Sequence, residues 1–492
     1  MKKRTLALII FLLINSYQYC FSQGIDSKWV MGGGCCLPNF SGIDLDFTSD
    51  TLIISTTQRD MIFGETNGEI CDVNGNLLFY SNGICIENSL GDTMQNGSGL
   101  NPGTFTTSKE PYGLPLPQGN LVIPFPEDSS KYYLFHETSD DPNNTWATYY
   151  LYNSIIDMSL NSGLGAVVQK NTILLHDTLI GGRLTACKHA NGRDWWLIVH
   201  KMYSGQVFKY LITPQGISGP WIQNLFTWRD TYFGQAVFSP QGNKFAYYEP
   251  YGDLDIWNFD RCTGNFSNYK HIDINDTAFA GGAAFSASGR YLYVSSINYI
   301  YQFDMDASSI DSSKIVVGVY DDYRSGGLYA NFYLSALAPD GKIYTNCGNA
   351  SLVLHVINNP DSAGLSCDFC QHCIPLPAYN HFTIPNYPNY YLGAEGGTIC
   401  DSLPTGITTI RNPINEFLLF PNPANRDVYL TLSKDKLQSV SVYNSVGQIV
   451  LLEHDVIKNE YLHFDVSKLE SGFYYVEVLT NKEKITRKFI RE

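Results

Sequence analysis

Paired carboxylates occur at Asp44 and Asp46, Asp253 and Asp255, Asp304 and Asp306, and Asp321 and Asp322. Such pairs ligate calcium or divide general-acid and general-base work between them. Asp304-Met-Asp-Ala-Ser308 opens like a calcium loop, but Ser309 stands where the tight turn wants Gly and no Glu closes it. A solvated turn is expected there, and no cofactor is predicted, with calcium the one considered. His189 and His200 flank one hairpin, where turn and edge packing outweighs a metal or pH-sensing role. The chain has no His-Glu-x-x-His, no Gly-x-Ser-x-Gly, no phosphate loop and no dinucleotide fingerprint, so no catalytic residue is assigned.

Cysteines offer the other chemistry. Cys367, Cys370, His372 and Cys373 put three thiols and an imidazole within seven residues, a zinc or iron-sulfur pattern in a reducing cell. The N-terminus points to a different compartment. Lys2, Lys3 and Arg4 precede nine apolar residues, 6–14, and a short polar stretch, the three regions of a secretory signal. As a helix those nine residues rise only about 14 Å against a hydrocarbon core of ~30 Å, so the segment reads as a leader, and no transmembrane span is expected. Cleavage is expected after Ser22, leaving Gln23 first. Tyr19 before Cys20 disfavours the lipoprotein alternative.

In an oxidising compartment the cysteines should mostly pair. With Cys20 lost, eleven are left as disulfide candidates: Cys35, Cys36, Cys71, Cys85, Cys187, Cys262, Cys347, Cys367, Cys370, Cys373 and Cys400. Connectivity stays open, although vicinal Cys35 and Cys36 should bond outward to different partners. The net charge of −15 disfavours nucleic acid and anionic lipid as partners.

These side chains need a scaffold, and an internal repeat describes it. Ala236-Val-Phe-Ser-Pro-Gln-Gly242, Ala284-Phe-Ser-Ala-Ser-Gly289 and Ala336-Leu-Ala-Pro-Asp-Gly341 each precede an alternating aromatic or β-branched run. Each reads as a strand, a turn whose Gly takes φ > 0, and a second strand. Weaker copies centre on Gly75, Lys131 and Gly192. Six units recur at roughly 50 residues without an amphipathic helix between them, which predicts an all-β propeller. About seven blades suit residues 23–400, with six or eight as alternatives, and the N-terminal strands are expected to complete the last blade.

The phrases Gly42-Ile-Asp-Leu-Asp-Phe47, Asn74-Gly-Asn-Leu-Leu-Phe-Tyr-Ser-Asn-Gly83, His189-Ala-Asn-Gly-Arg-Asp-Trp-Trp196 and Pro385-Asn-Tyr-Pro-Asn-Tyr-Tyr-Leu-Gly393 resemble a family of exported Bacteroidetes propeller proteins. The resemblance implies fold and export but no activity.

After a linker at 401–412 the composition changes, and residues 413–492 carry 10 basic against 11 acidic residues in 80. Short alternating strands there predict a small immunoglobulin-like β-sandwich. Four phrases fall in order: Pro421-Asn422-Pro423, Tyr443-Asn-Ser-Val-Gly447-Gln, Ser471-Gly472-Phe-Tyr474, and a last basic strand with Lys488. Together they resemble the type A sorting domain of type IX secretion. That resemblance implies passage through the periplasm, recognition by the outer-membrane machinery and release or attachment at the surface. Asp-Ser and Asp-Thr steps at Thr51, Thr93, Thr178, Thr277, Ser362 and Ser402 resemble the O-glycosylation sequon of Bacteroidetes. The expected function is a secreted or cell-surface binding module for an extracellular glycan, peptide or protein. The alternative is an extracellular hydrolase or lyase acting at the propeller channel.

Overall fold

The computed structural model describes residues 24–33, 41–139, 147–225, 233–401, 418–420, 422–431, 437–444, 447–454, 461–480 and 484–492. The expected leader, Ser22, Gln23, Cys35, Cys36, Ser402 and Pro421 lie outside them. The chain divides into two units, 1–403 and 404–492.

In the first unit each sequence repeat is a pair of antiparallel strands. Gln235–Phe238 pairs with Lys244–Glu249, Gly281–Phe285 with Tyr291–Ser296, and Phe332–Leu337 with Ile343–Cys347. Gly75, Gly192, Gly242, Gly289 and Gly341 all take φ between 70° and 84°, the left-handed turn conformation expected of them. The copy at Lys131 uses Glu127 for that purpose, at φ 67°. Two further strands complete each unit, giving four-stranded blades at 68–98, 120–180, 185–224, 235–272, 281–319 and 332–381, here blades 2 to 7. Blades 2 and 3 are joined at their outer edges by a parallel bridge between Gln95 and Ala166. One short helix, Thr104–Lys109, lies between these two blades.

Blade 1 has three strands, Lys28–Gly32, Gly42–Asp46 and Ile53–Thr57. These form their own sheet rather than completing the last blade, which corrects the expectation from sequence. Ring closure is apolar on one side: Trp29, Met31, Ile43 and Leu45 pack against Tyr344, Leu354 and Val356 of blade 7. On the channel side, the segment 383–392 bonds to blade 1 and to blades 3, 4 and 5. Pro385 and Pro388 have no N–H to give a ladder, so its side chains bond instead. Tyr387 donates to Lys28 O at 2.8 Å, Asn386 to Asn120 O and Leu184 O at 2.9 Å, Tyr390 to Val122 O at 2.8 Å, and Asn389 to Pro240 O at 2.6 Å. Blade 2 supplies the rest: the Val30 N–H meets both carboxylate oxygens of Glu69, at 3.0 and 2.9 Å, and Asn67 donates to Val30 O.

The second unit is a β-sandwich. One sheet orders Leu418–Phe420, Asp427–Thr431 and Tyr461–Asp465. The other orders Ile449–His454, Leu437–Asn444, Gly472–Thr480 and Lys484–Arg491. Val428, Leu430, Val440, Val442, Phe464, Val476, Val478 and Phe489 fill the space between them. No helix among the described residues is long and apolar enough to cross a membrane.

Candidate binding site in the ring channel

The first strands of successive blades lie against one another around the channel. The repeat alanines Ala236, Ala284 and Ala336 stand on them and, with Ala186, line a cavity of about 380 Å3. A side chain ending at Cβ leaves space that a larger one would fill, and the volume falls within the range of small-molecule sites. Blades 4 to 7 form most of the wall, and Pro385 to Leu392 of the crossing segment form the remainder.

Two glutamines cross-link the strands lining the cavity. Gln118 takes the Ala236 N–H on its Oε1 at 2.8 Å and donates Nε2 to Ala236 O at 2.9 Å, replacing a strand partner. Gln235 does the same for blades 6 and 7, accepting from Ala283 N and Ser335 N and donating to Ser335 O. Both carboxamides are thereby committed to the backbone.

One ammonium and one carboxyl group are among the described residues that line the cavity. The Lys188 ammonium lies 5.3 Å from the centre of the Trp195 ring, and burial, together with the nearby Arg261 charge, lowers its pKa. Asp26 is held by the Tyr391 hydroxyl, and burial pushes its carboxyl up to about 6. Asp26 is the only carboxylate among the described lining residues. Phe238, Phe285, Leu337 and Leu392 supply apolar wall.

A second ionisable group lies apart from the cavity lining. Glu137 and Arg183 are both 0 % exposed. Glu137 accepts from the Gly182 N–H and, at 3.1 Å, from the Thr148 hydroxyl. Glu65 accepts from the Tyr333 hydroxyl at 3.2 Å. Burial pushes both glutamates up to about 8, opposed by the Arg183 charge. Arg183 takes φ 73° and lies 5.7 Å from the Tyr247 ring centre. Sequence reasoning found none of this group, because no spacing links Glu65, Glu137 and Arg183.

The residues singled out from sequence do not converge on the channel. Asp44 is held by Arg59 and Thr57, and Asp46 by Thr48 and Lys28. Asp304 binds Arg290 through both oxygens, at 2.8 and 3.1 Å, and caps its own turn. His189 bonds to Cys262 O, while His200 is buried against Phe245 and Tyr247, so the two histidines serve packing at different places. Thr51, Thr93 and Thr277 are exposed.

Cys262 bonds Cys400, and Cys370 bonds Cys373. Cys71, Cys85, Cys187, Cys347 and Cys367 stand as thiols, correcting the expectation of pairing for these five. Burial raises each thiol above its ordinary range. The Cys367 to Cys373 run does not converge on a cation either: His372 bonds Asp321 at 3.0 Å and stacks on Tyr323.

In the tail, the motif residues hold the sandwich together. Asn422 donates to Lys488 O and accepts from Ile490 N, fastening the last strand. Gly447 turns at φ 80°. Tyr474 stacks on Phe489 and donates to Glu470 O. Lys488 lies 3.8 Å from the Phe473 ring centre, and Gly472 pairs with Arg491.

Residues 418–492 match the secretion system C-terminal sorting domain family. No curated protein matches the chain. Among solved structures, a candidate 6-phosphogluconolactonase from Bacteroides fragilis is 10 % identical, covering 74 % of this chain and 98 % of its own, with a TM-score of 0.42. A functionally unknown protein from Desulfotomaculum acetoxidans is 13 % identical, with 72 % and 97 % covered and a TM-score of 0.40. The Cps50 (Swd1) β-propeller domain from Myceliophteria thermophila is 8 % identical, with 67 % and 94 % covered and a TM-score of 0.36. The chain is a β-propeller that carries a secretion-system C-terminal sorting domain.

Proposed function

We propose that the protein is exported by the type IX system to the cell surface or medium. There its propeller acts as a binding module, taking a small amphipathic group of a peptide or glycan into the ring cavity. The lining of that cavity carries the reading. One cation, Lys188, faces apolar walls of Ala, Phe, Leu and Pro, which suits a ligand with an apolar body and an acidic or acceptor group. Hydrolysis of a glycosidic bond uses two carboxyl groups about 5 to 10 Å apart. Among the described lining residues Asp26 is alone, and Glu65 and Glu137 do not line the cavity, so binding is favoured over turnover.

Peptide and glycan arrays probed with the purified full chain test this, run beside a hydrolysis screen on the same ligands. Ala287→Trp, at an exposed rim position, and Lys188→Ala should each abolish or weaken the captured signal at least tenfold. Hits indifferent to both substitutions would overturn the cavity as the site. Turnover of an arrayed ligand that persists in the purified protein would replace binding with the hydrolase alternative.

A further inference from the structure

The carboxylate pair Asp253 and Asp255 acquires a partner only through strand register. Asp253–Asp260 pairs antiparallel with Asn265–Ile272, setting Leu254 opposite Ile272 and Asp255 opposite His271. Side chains alternate along strands, so Asp253, Asp255, Tyr269, His271 and Asp273 share one face of this ladder. Continuing the register sets Asp253 opposite Asp273, an unfavourable like-charge pair. Nearby, the Lys314 ammonium bonds the main-chain oxygens of Asp273 and Ile274 rather than a carboxylate of the group.

We propose that Asp253, His271 and Asp273 form a site for one divalent transition cation of the zinc type. One donor atom from each lies within 4.8 Å of the others. Behind them, fully buried Asp255 accepts from His271 Nδ1 at 2.7 Å and from the Tyr269 hydroxyl at 3.0 Å. A histidine whose Nδ1–H is held by a carboxylate presents the lone pair of Nε2 outward, the arrangement that orients imidazole toward metals. Nε2 lies within hydrogen-bond distance of Asp273 Oδ1, at 3.1 Å, so a cation would displace the proton between them. Asp253 is fixed by the Ile274 N–H on its Oδ1, at 2.9 Å.

Bonds of about 2.0–2.2 Å to a tetrahedral ion require donor separations of about 3.3 Å. The exposed Asp273 carboxylate can adjust toward that spacing while His271 stays bonded to Asp255. One nitrogen and two carboxylates suit a borderline cation with water completing the shell. Calcium instead takes six to eight oxygens.

The test uses the full chain stripped with a chelator and dialysed. Titration calorimetry with Zn2+ alone should show one equivalent bound at micromolar affinity or tighter, and Co2+ should give visible d–d absorption. His271→Gln and Asp273→Asn, both at exposed positions, should each weaken Zn2+ binding at least tenfold and remove the Co2+ band. Asp304→Asn, at an acidic pair elsewhere, should leave both unchanged. The proposal is overturned by absence of stoichiometric Zn2+ binding, by binding that both His271→Gln and Asp273→Asn retain, or by a site that takes Ca2+ in preference to Zn2+.

Discussion

Glu137→Gln should change how the stability of the propeller depends on pH. The wild-type carboxyl is 0 % exposed, and burial raises it from 4.5 to about 8. A raised acid takes up a proton on folding, so its neutral form is fully compatible with the fold below pH 4.5, and stability falls as pH rises toward 8. The slope is about 1.4 kcal/mol per pH unit, which amounts to about 3 kcal/mol lost by pH 7 and about 4 kcal/mol by pH 8. Gln cannot ionise and keeps an acceptor oxygen for the Gly182 N–H. Relative to wild type, the variant should gain about 3 kcal/mol between pH 5 and pH 7, a large share of an ordinary domain stability of 5–15 kcal/mol. A hydrogen bond lost by the substitution would shift both pH values equally, so the slope is the diagnostic. All seven tryptophans precede residue 258, so guanidinium unfolding followed by tryptophan emission reports the propeller. A wild-type minus variant difference that stays flat from pH 5 to pH 7 would refute the reasoning. Glu65, raised to a similar value by burial, leaves a residual slope in the variant.

Arg183→Met removes the cation that lowers both glutamates, so loss of stability with rising pH should extend to a higher pH than in wild type, read by the same unfolding series. Tyr390→Ala should cost about 3–5 kcal/mol, because it empties a buried aromatic site in the segment that crosses the channel; thermal unfolding measures it. Cys262→Ser should cost about 2–4 kcal/mol, since the bond to Cys400 closes a separation of 138 residues, and peptide mapping of the unreduced protein should recover Cys262 joined to Cys400. Residues 404–492, which contain no cysteine, should fold alone and unfold at the same temperature with or without reductant. Fused behind a signal peptide and an unrelated cargo, they should carry it out of a type IX-competent cell. Normal export of the chain without them would refute the sorting role.

Much of the architecture is written in local pattern. Period-two alternation, turn glycines some 50 residues apart and alanines opening three of the repeats depend only on neighbouring residues, and the blades follow them. The sorting domain is likewise legible, because its phrases mark turns and strand ends within 75 residues: Asn422 fastens Lys488 and Ile490, and Gly447 makes a turn. The cysteines were misjudged because composition reports the compartment and not distance. Cys71, Cys187, Cys347 and Cys367 are packed as small apolar side chains.

What the tertiary structure alone decided is whatever depends on contacts across the ring. The sequence by itself determined an all-β repeat and a sorting tail, since these follow from short-range spacing. It could not place Gln118 on Ala236, Asn386 on Asn120 or Tyr391 on Asp26, pairs separated by 118, 266 and 365 residues. It showed Asp253 and Asp255 as a pair but not His271 and Asp273 beside them, because only the antiparallel register brings the two strands onto one face. The segment holding Pro385 and Pro388 is fastened across the ring by the side chains of Asn386, Tyr387, Asn389 and Tyr390. Such bonds follow from the folded geometry and leave no periodic trace in the chain.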